Sequence, residues 1–124
     1  MSRDIKFRAW DKVNKKMVYQ GFAVYPSGHI KYLEKGLGFG LKLMQFTNLT
    51  DKNDLEVYDG DLLQTQDRIV EVYWNELGIW DSKFIRYTST PSTKGIERSA
   101  WRYDAEVIGN KFENQELINE KNNT

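Results

Sequence analysis

The stretch Leu55-Glu56-Val57-Tyr58-Asp59-Gly60-Asp61-Leu62-Leu63 decides the fold class. It starts as a strand, meets an Asp-Gly-Asp turn and leaves as a second strand, which is the pattern of small, sharply bent β sheets and barrels. Upstream, Met44-Gln45-Phe46-Thr47-Asn48-Leu49 reads as a further strand, followed by the turn formers Thr50-Asp51-Lys52-Asn53-Asp54. Downstream, Arg68 to Trp74 is a strong strand, with Val70, Val72 and Trp74 on one face and Ile69, Glu71 and Tyr73 on the other. Phe84 to Tyr87 reads as its neighbour, after a bend at Leu77-Gly78-Ile79.

Further out, Ile5, Phe7 and Ala9 alternate with Lys6, Arg8 and Trp10, the period-two signature of a half-buried strand. The polar run 11–16 then turns the chain into Met17-Val18-Tyr19, giving a first hairpin. A second hairpin joins Phe22–Tyr25 to His29–Leu33 across Pro26-Ser27-Gly28, where proline presets the turn and glycine accepts a positive φ. In the segment 36–43, Gly36, Gly38, Gly40 and Lys42 share one face opposite Leu37, Phe39, Leu41 and Leu43. A bare glycine face lets another backbone or a ring approach closely. Residues 88–99 read as a mobile loop, and Trp101–Ile108 as a strand ended by Gly109-Asn110. Phe112, Leu117 and Ile118 suggest one helical turn capped by Asn114.

The resulting expectation is a single domain over residues 1–118, mainly β: a bent antiparallel sheet or small, partly open barrel around 44–110. It has an N-terminal hairpin, a short C-terminal helical turn and a frayed tail at 119–124. A chain of 124 residues sits at the common single-domain length, and its 4 Trp, 7 Tyr and 6 Phe supply a core that favours strands.

Composition also excludes chemistry. With no cysteine there is no disulfide framework, thiolate nucleophile or cysteine zinc site. A lone His29 beside a turn reads as a surface residue and leaves no serine–histidine pairing or histidine-rich metal site. The short apolar runs and the Met1-Ser2-Arg3-Asp4 start give neither a membrane span nor a signal peptide, so the expectation is a soluble, intracellular protein.

Carboxylates remain as the only plentiful catalytic type. Asp51, Asn53, Glu56, Asp59 and Asp61 invite a metal-dependent hydrolase, but the EF-hand template fails at Leu55 and Glu56, and Gly60 between two aspartates speaks for a turn. Asp81-Ser82-Lys83 with Asp61 echoes a nuclease ending without the surrounding strand and helix pattern. A nucleic-acid-binding barrel is the more serious alternative. Residues 1–50 carry nine basic and three acidic side chains, a net of +6, and residues 51–124 nine and fifteen, a net of −6. Trp10, Tyr19, Tyr25, Tyr32 and Phe39 with Lys6, Arg8, Lys15, Lys16, Lys31 and Lys42 would be the stacking and phosphate-binding groups.

Three motifs carry a family likeness. Ile5-Lys6-Phe7-Arg8-Ala9-Trp10-Asp11 with Lys15-Lys16-Met17 resembles the opening of the YopX-like proteins of temperate bacteriophages and prophages. Met44-Gln45-Phe46-Thr47, Leu49, Asp51-Lys52-Asn53, Val57-Tyr58 and Gly60-Asp61 are similar to their central signature. Glu106-Val107-Ile108-Gly109-Asn110 with Phe112-Glu113-Asn114 and Glu116-Leu117 resembles their closing one. Asn48 and Asp54 stand where the family usually has glycine, and both tolerate left-handed geometry better than most residues. The resemblance implies a phage or prophage origin, a mainly β fold and no known activity, since the family is itself uncharacterised.

These motifs consist of turn formers and core residues. Asp51, Asn53, Gly60, Asp61, Gly109 and Asn110 are the structural signature turns, and such a signature specifies a shape rather than a reaction. The expected function is therefore non-enzymatic, with no catalytic residue, metal or cofactor. It is a cytoplasmic accessory protein of the infected or lysogenic host that binds itself as a homo-oligomer or binds a host or phage protein. Lys6, Arg8, Trp10, Gly36, Gly38, Gly40 and Lys42 are the candidate interaction surface.

Overall fold

The computed structural model describes residues 4–34, 40–89 and 105–119. Within them the protein is mainly β and antiparallel throughout. The N-terminal hairpin pairs β1 (Phe7–Asp11) with β2 (Lys16–Val18), Ala9 opposite Val18 and Asp11 opposite Lys16. The second expected hairpin is β3 (Phe22–Val24) with β4 (Ile30–Tyr32), turning at Gly28 with φ 89°. A long β5 (Leu41–Thr50) takes β1 on one side and β6 (Glu56–Tyr58) on the other, giving a sheet in the order β2-β1-β5-β6.

The second sheet has the order β10-β7-β8-β9 and contains β7 (Asp61–Gln64), β8 (Arg68–Trp74), β9 (Trp80–Tyr87) and β10 (Glu106–Asn110). One strand differs in extent from the sequence expectation. β9 begins at Trp80 rather than Phe84, because Trp80, Asp81, Ser82 and Lys83 all find partners on β8. β10 ends at Gly109-Asn110 as expected, but those two residues are paired with Leu62 and Asp61, and a bulge between Val107 and Gly109 shifts its register. The C-terminal helical turn is present as α1 (Gln115–Asn119). Asn114 precedes it, and its side-chain oxygen accepts from the Asn110 amide at 3.1 Å rather than from the helix's own first turn. The expected loop beyond Ser89, the strand residues Trp101–Asp104 and the tail beyond Asn119 lie outside the described residues.

The Asp59-Gly60-Asp61 turn is a corner between sheets. β6 and β7 flank it without pairing with each other. The Asp59 amide still donates to Gln45 of the first sheet at 2.9 Å, while Gly60 donates to Val72 and accepts from Lys111 in the second, both at 2.9 Å. One residue thus moves the chain from one sheet to the other. Gly60 has φ 86°, a left-handed backbone that favours glycine, and a Cβ there would stand 3.1 Å from the Met44 methyl, a contact tighter than usual.

Three apolar clusters hold the layers together. Val57, Leu63, Val70, Val72 and Ala105 join the two sheets, with Leu49, Trp80 and Val107 packed against them. Ala9, Ile30 and Leu41 fix the β3–β4 hairpin against one face of the first sheet. Met44, Phe46 and Tyr58 occupy that sheet's other face with Met17 and Phe112. β1 is therefore covered on both sides, and Arg8, Ala9, Trp10 and Asp11 are all buried.

Asn48 and Asp54 have left-handed backbone, with φ 67° and 65°. Asn48 sits at the β5 bulge, where its side chain both accepts from and donates to the Asp4 backbone at 2.9 Å. Asp54 sits in the β5–β6 turn, where its amide donates to Asp51 at 3.0 Å. Asp54→Gly is expected to raise stability by about 0.5–1 kcal/mol, the left-handed strain relieved less the added freedom of the unfolded chain. A urea midpoint that falls on this substitution would contradict the assignment.

Candidate interaction surfaces

The signature turns are consumed in holding the sheets together. Asp51 is fully buried and accepts the amides of Asn53 and Leu55 at 2.8 and 2.9 Å, closing the β5–β6 turn around Asn53. Its other oxygen accepts the Val107 amide at 2.8 Å, which ties that turn to β10 in the second sheet. Asn110 closes the turn after β10 by accepting from Phe112 and Glu113 at 3.0 and 2.9 Å. At Gly109 a Cβ would run into the Asn114 side chain.

Asp61 pairs with Arg8 across the sheets and also accepts the Tyr58 amide at 2.7 Å. Burial pushes its carboxyl up to about 6, against the pull of Arg8 and the Tyr58 amide. Burial also raises the Asp59 carboxyl, partly offset by Lys111. Arg8 lies 4.4 Å from the Tyr58 ring centre, and its buried Nε has no hydrogen-bond partner among the described residues. Asp59 and Asp61 thus hold a corner, and among the described residues no three His, Cys, Asp or Glu side chains converge as a metal site would require.

Asp11 is a third buried aspartate. Burial by itself raises its carboxyl, but hydrogen bonds from the Tyr32 hydroxyl, Asn14 and Val13 outweigh it and hold the group at about 2. The nuclease-like Asp81 accepts from Asn75 at 3.1 Å and from the Ser82 amide at 2.8 Å. His29 is exposed and stacks on Tyr25, with ring centres 5.9 Å apart.

Of the candidate interaction surface, Arg8 and Trp10 are each only 7% exposed, so they offer the solvent almost nothing. The alternation that assigns them to a wet face does not hold, because β1 is central and sandwiched. Lys6 is half-exposed, pairs with Glu56 and lies 4.7 Å from the Phe46 ring centre. Gly40, with φ 84°, packs on the β1–β2 turn, and a Cβ there would meet Val13 at 3.1 Å. Lys42 is exposed directly opposite Trp10. Gly36 and Gly38 lie outside the described residues.

Two surfaces stand out. The first is the tip of the β8–β9 hairpin, where Leu77 is 79% exposed, Trp74 51% and Ile79 39%. Trp74 and Trp80 meet edge to face with ring centres 4.8 Å apart at the base of this tip. Asn75 braces the turn: its side-chain oxygen accepts from the Leu77 and Ile79 amides at 2.8 and 3.2 Å, and its backbone amide donates to the Ile79 carbonyl at 2.9 Å. In the sequence these residues read only as a bend; the signal available was two large aliphatics around a glycine with a tryptophan on either side. The second surface is a cleft of about 290 Å³ lined by Trp10, Lys12, Lys15, Lys42, Phe112 and Gln115. Half-buried Phe112 gives it an apolar side and stacks on the buried Trp10 ring, the two nearly parallel with centres 6.3 Å apart.

These features define a small antiparallel β protein of two four-stranded sheets and a two-stranded hairpin, with a short helix after the last described strand. The chain belongs to the YopX protein family, whose model matches residues 6–119. Among solved structures it is similar to protein EF1440 from Enterococcus faecalis, at 24% identity and a TM-score of 0.57 over 94% of this chain and 99% of that one. That likeness is one of fold. No curated protein matches the chain, and among the described residues no helix is long and apolar enough to cross a membrane.

Proposed function

We propose that this YopX-family protein is a non-enzymatic phage or prophage accessory protein, acting in the host cytoplasm by docking onto protein through the β8–β9 tip. The observation that carries this reading is the preorganised apolar tip of Trp74, Leu77 and Ile79, braced by Trp80, which also packs on the core, and by the Asn75 turn. Large aromatic and aliphatic anchors on a rigid turn bind with little loss of conformational entropy, which is how interface hot spots work. Such exposed side chains gain little in water and much in a partner's pocket.

A second copy of the chain is the first occupant to test. The formal net charge is zero, so copies do not repel one another at long range, and the opposite local charges of the two halves favour attraction. Light scattering from micromolar to millimolar concentration is expected to give a dimer or larger species for the wild type. Leu77→Lys, whose side chain touches solvent on most of its surface, is expected to give a folded monomer by the same measurement. A wild-type monomer throughout that range would contradict self-association, and capture of a host or phage protein by wild type but not by Leu77→Lys would then identify the other occupant.

A further inference from the structure

We propose that the cleft between β1, β5 and the C-terminal turn is a binding site for the phosphate of a nucleotide, free or as one unit of a strand. Three lysines, Lys12, Lys15 and Lys42, line one concavity. Among the described residues none of the three has a carboxylate partner, whereas Lys6, Lys52 and Lys83 all do. The acid between Trp10 and Lys12 in the chain does not neutralise them fully, since Asp11 is buried and its oxygens are committed to Val13, Asn14 and Tyr32. Like charges gathered without a counterion raise the energy of the free protein, and a bound polyanion relieves it.

The lysines are held by the fold. Lys42 stands opposite Trp10 in the β1–β5 register, and the Lys12 amide donates to the Gly40 carbonyl at 2.9 Å, which fixes the β1–β2 turn over β5. Lys15 occupies the left-handed position of that turn, with φ 55°. Beside them half-buried Phe112, stacked on the buried Trp10 ring, supplies an apolar patch and exposed Gln115 an amide that both donates and accepts. Point-charge ammonium groups suit phosphate oxygens, and an apolar patch with one amide suits a sugar or base ring. A cleft of about 290 Å³ lies at the small end of ligand sites, the size of a single nucleotide unit rather than a folded partner.

The test is a titration of the full chain at low salt, followed by amide chemical shifts, with adenosine diphosphate, a short thymidine oligonucleotide and inorganic sulfate as separate probes. Shifts confined to the β1–β2 turn, Lys42 and residues 112–115 are expected with a nucleotide probe, weakening as salt rises. Lys12→Glu with Lys42→Glu is expected to weaken that binding about tenfold or more, two reversed charges each removing a fraction of a decade to a decade. Lys52→Glu, in the β5–β6 turn and outside the cleft lining, is expected to leave it unchanged. Binding of the diphosphate alone assigns the site to free nucleotides, and binding of the oligonucleotide assigns it to a strand. Sulfate binding as tight as either nucleotide, no shifts with any probe, or unchanged affinity in the folded double variant would overturn the proposal.

Discussion

Arg8→Met is expected to destabilise the protein by about 3–5 kcal/mol, because it leaves the Asp61 carboxylate buried without its counter-charge. Arg8 and Asp61 belong to different sheets, and both side chains are almost fully buried. For a chain of this length the loss corresponds to a melting temperature lower by about 10–20 °C. The double variant Arg8→Met with Asp61→Leu is expected to recover most of it, since a buried pair replaced on both sides by apolar groups is often neutral or better.

The deficit should depend on pH in a defined direction. Folding raises the Asp61 carboxyl from 3.8 to about 6, so the native state holds this proton more tightly than the unfolded one. Its stabilising contribution is complete below the unfolded value and is lost as pH rises through the folded value. Without Arg8 the folded value climbs further, so the loss with rising pH is larger. Thermal melts should show a greater deficit for Arg8→Met at pH 8 than at pH 5; equal deficits at both would contradict the ion pair as the corner's fastening.

The second large effect is expected at Asp51. Asp51→Ala strips the acceptor from the Asn53, Leu55 and Val107 amides together, one of them in the other sheet. With about 1–3 kcal/mol for each buried donor left unpaired, and the exposed turn regaining water in part, the total is about 3–5 kcal/mol. Amide hydrogen exchange gives the sharper reading. Val107 should lose protection along with Lys52, whose amide donates to Ala105 at 2.9 Å, since both bonds cross the same seam. Loss confined to residues 52–55 would show that Asp51 closes a local turn and nothing more.

Local chemistry made much of this fold legible. Polar runs and Pro26-Ser27-Gly28 marked the first two hairpins, Leu77-Gly78-Ile79 marked the third, and the two non-glycine residues at Asn48 and Asp54 do adopt left-handed backbone. What stayed hidden is non-local. Asp59-Gly60-Asp61 has the composition of a hairpin turn whether its strands pair with each other or with different sheets, and that choice rests on partners such as Gln45, Val72 and Lys111. The same holds for Arg8 and Trp10: alternation separates two faces but cannot say that both are covered. Of the candidate surfaces, Trp10, Lys15 and Lys42 were recognisable by type, while their meeting with Phe112 and Gln115 comes from the C-terminal turn folding back across the first sheet.

With its signature residues spent on turns and inter-sheet bonds, this chain carries the most exposed large apolar side chain among its described residues, Leu77, on the β8–β9 tip beside exposed Trp74 and Ile79. Hydrogen exchange at residues 75–80, followed from micromolar to millimolar protein, tests that tip as the docking surface most directly. Protection there should rise with concentration in the wild type and stay flat in Leu77→Lys. Exchange at the tip that is independent of concentration in the wild type, with no added protection when host or phage lysate is present, would contradict it.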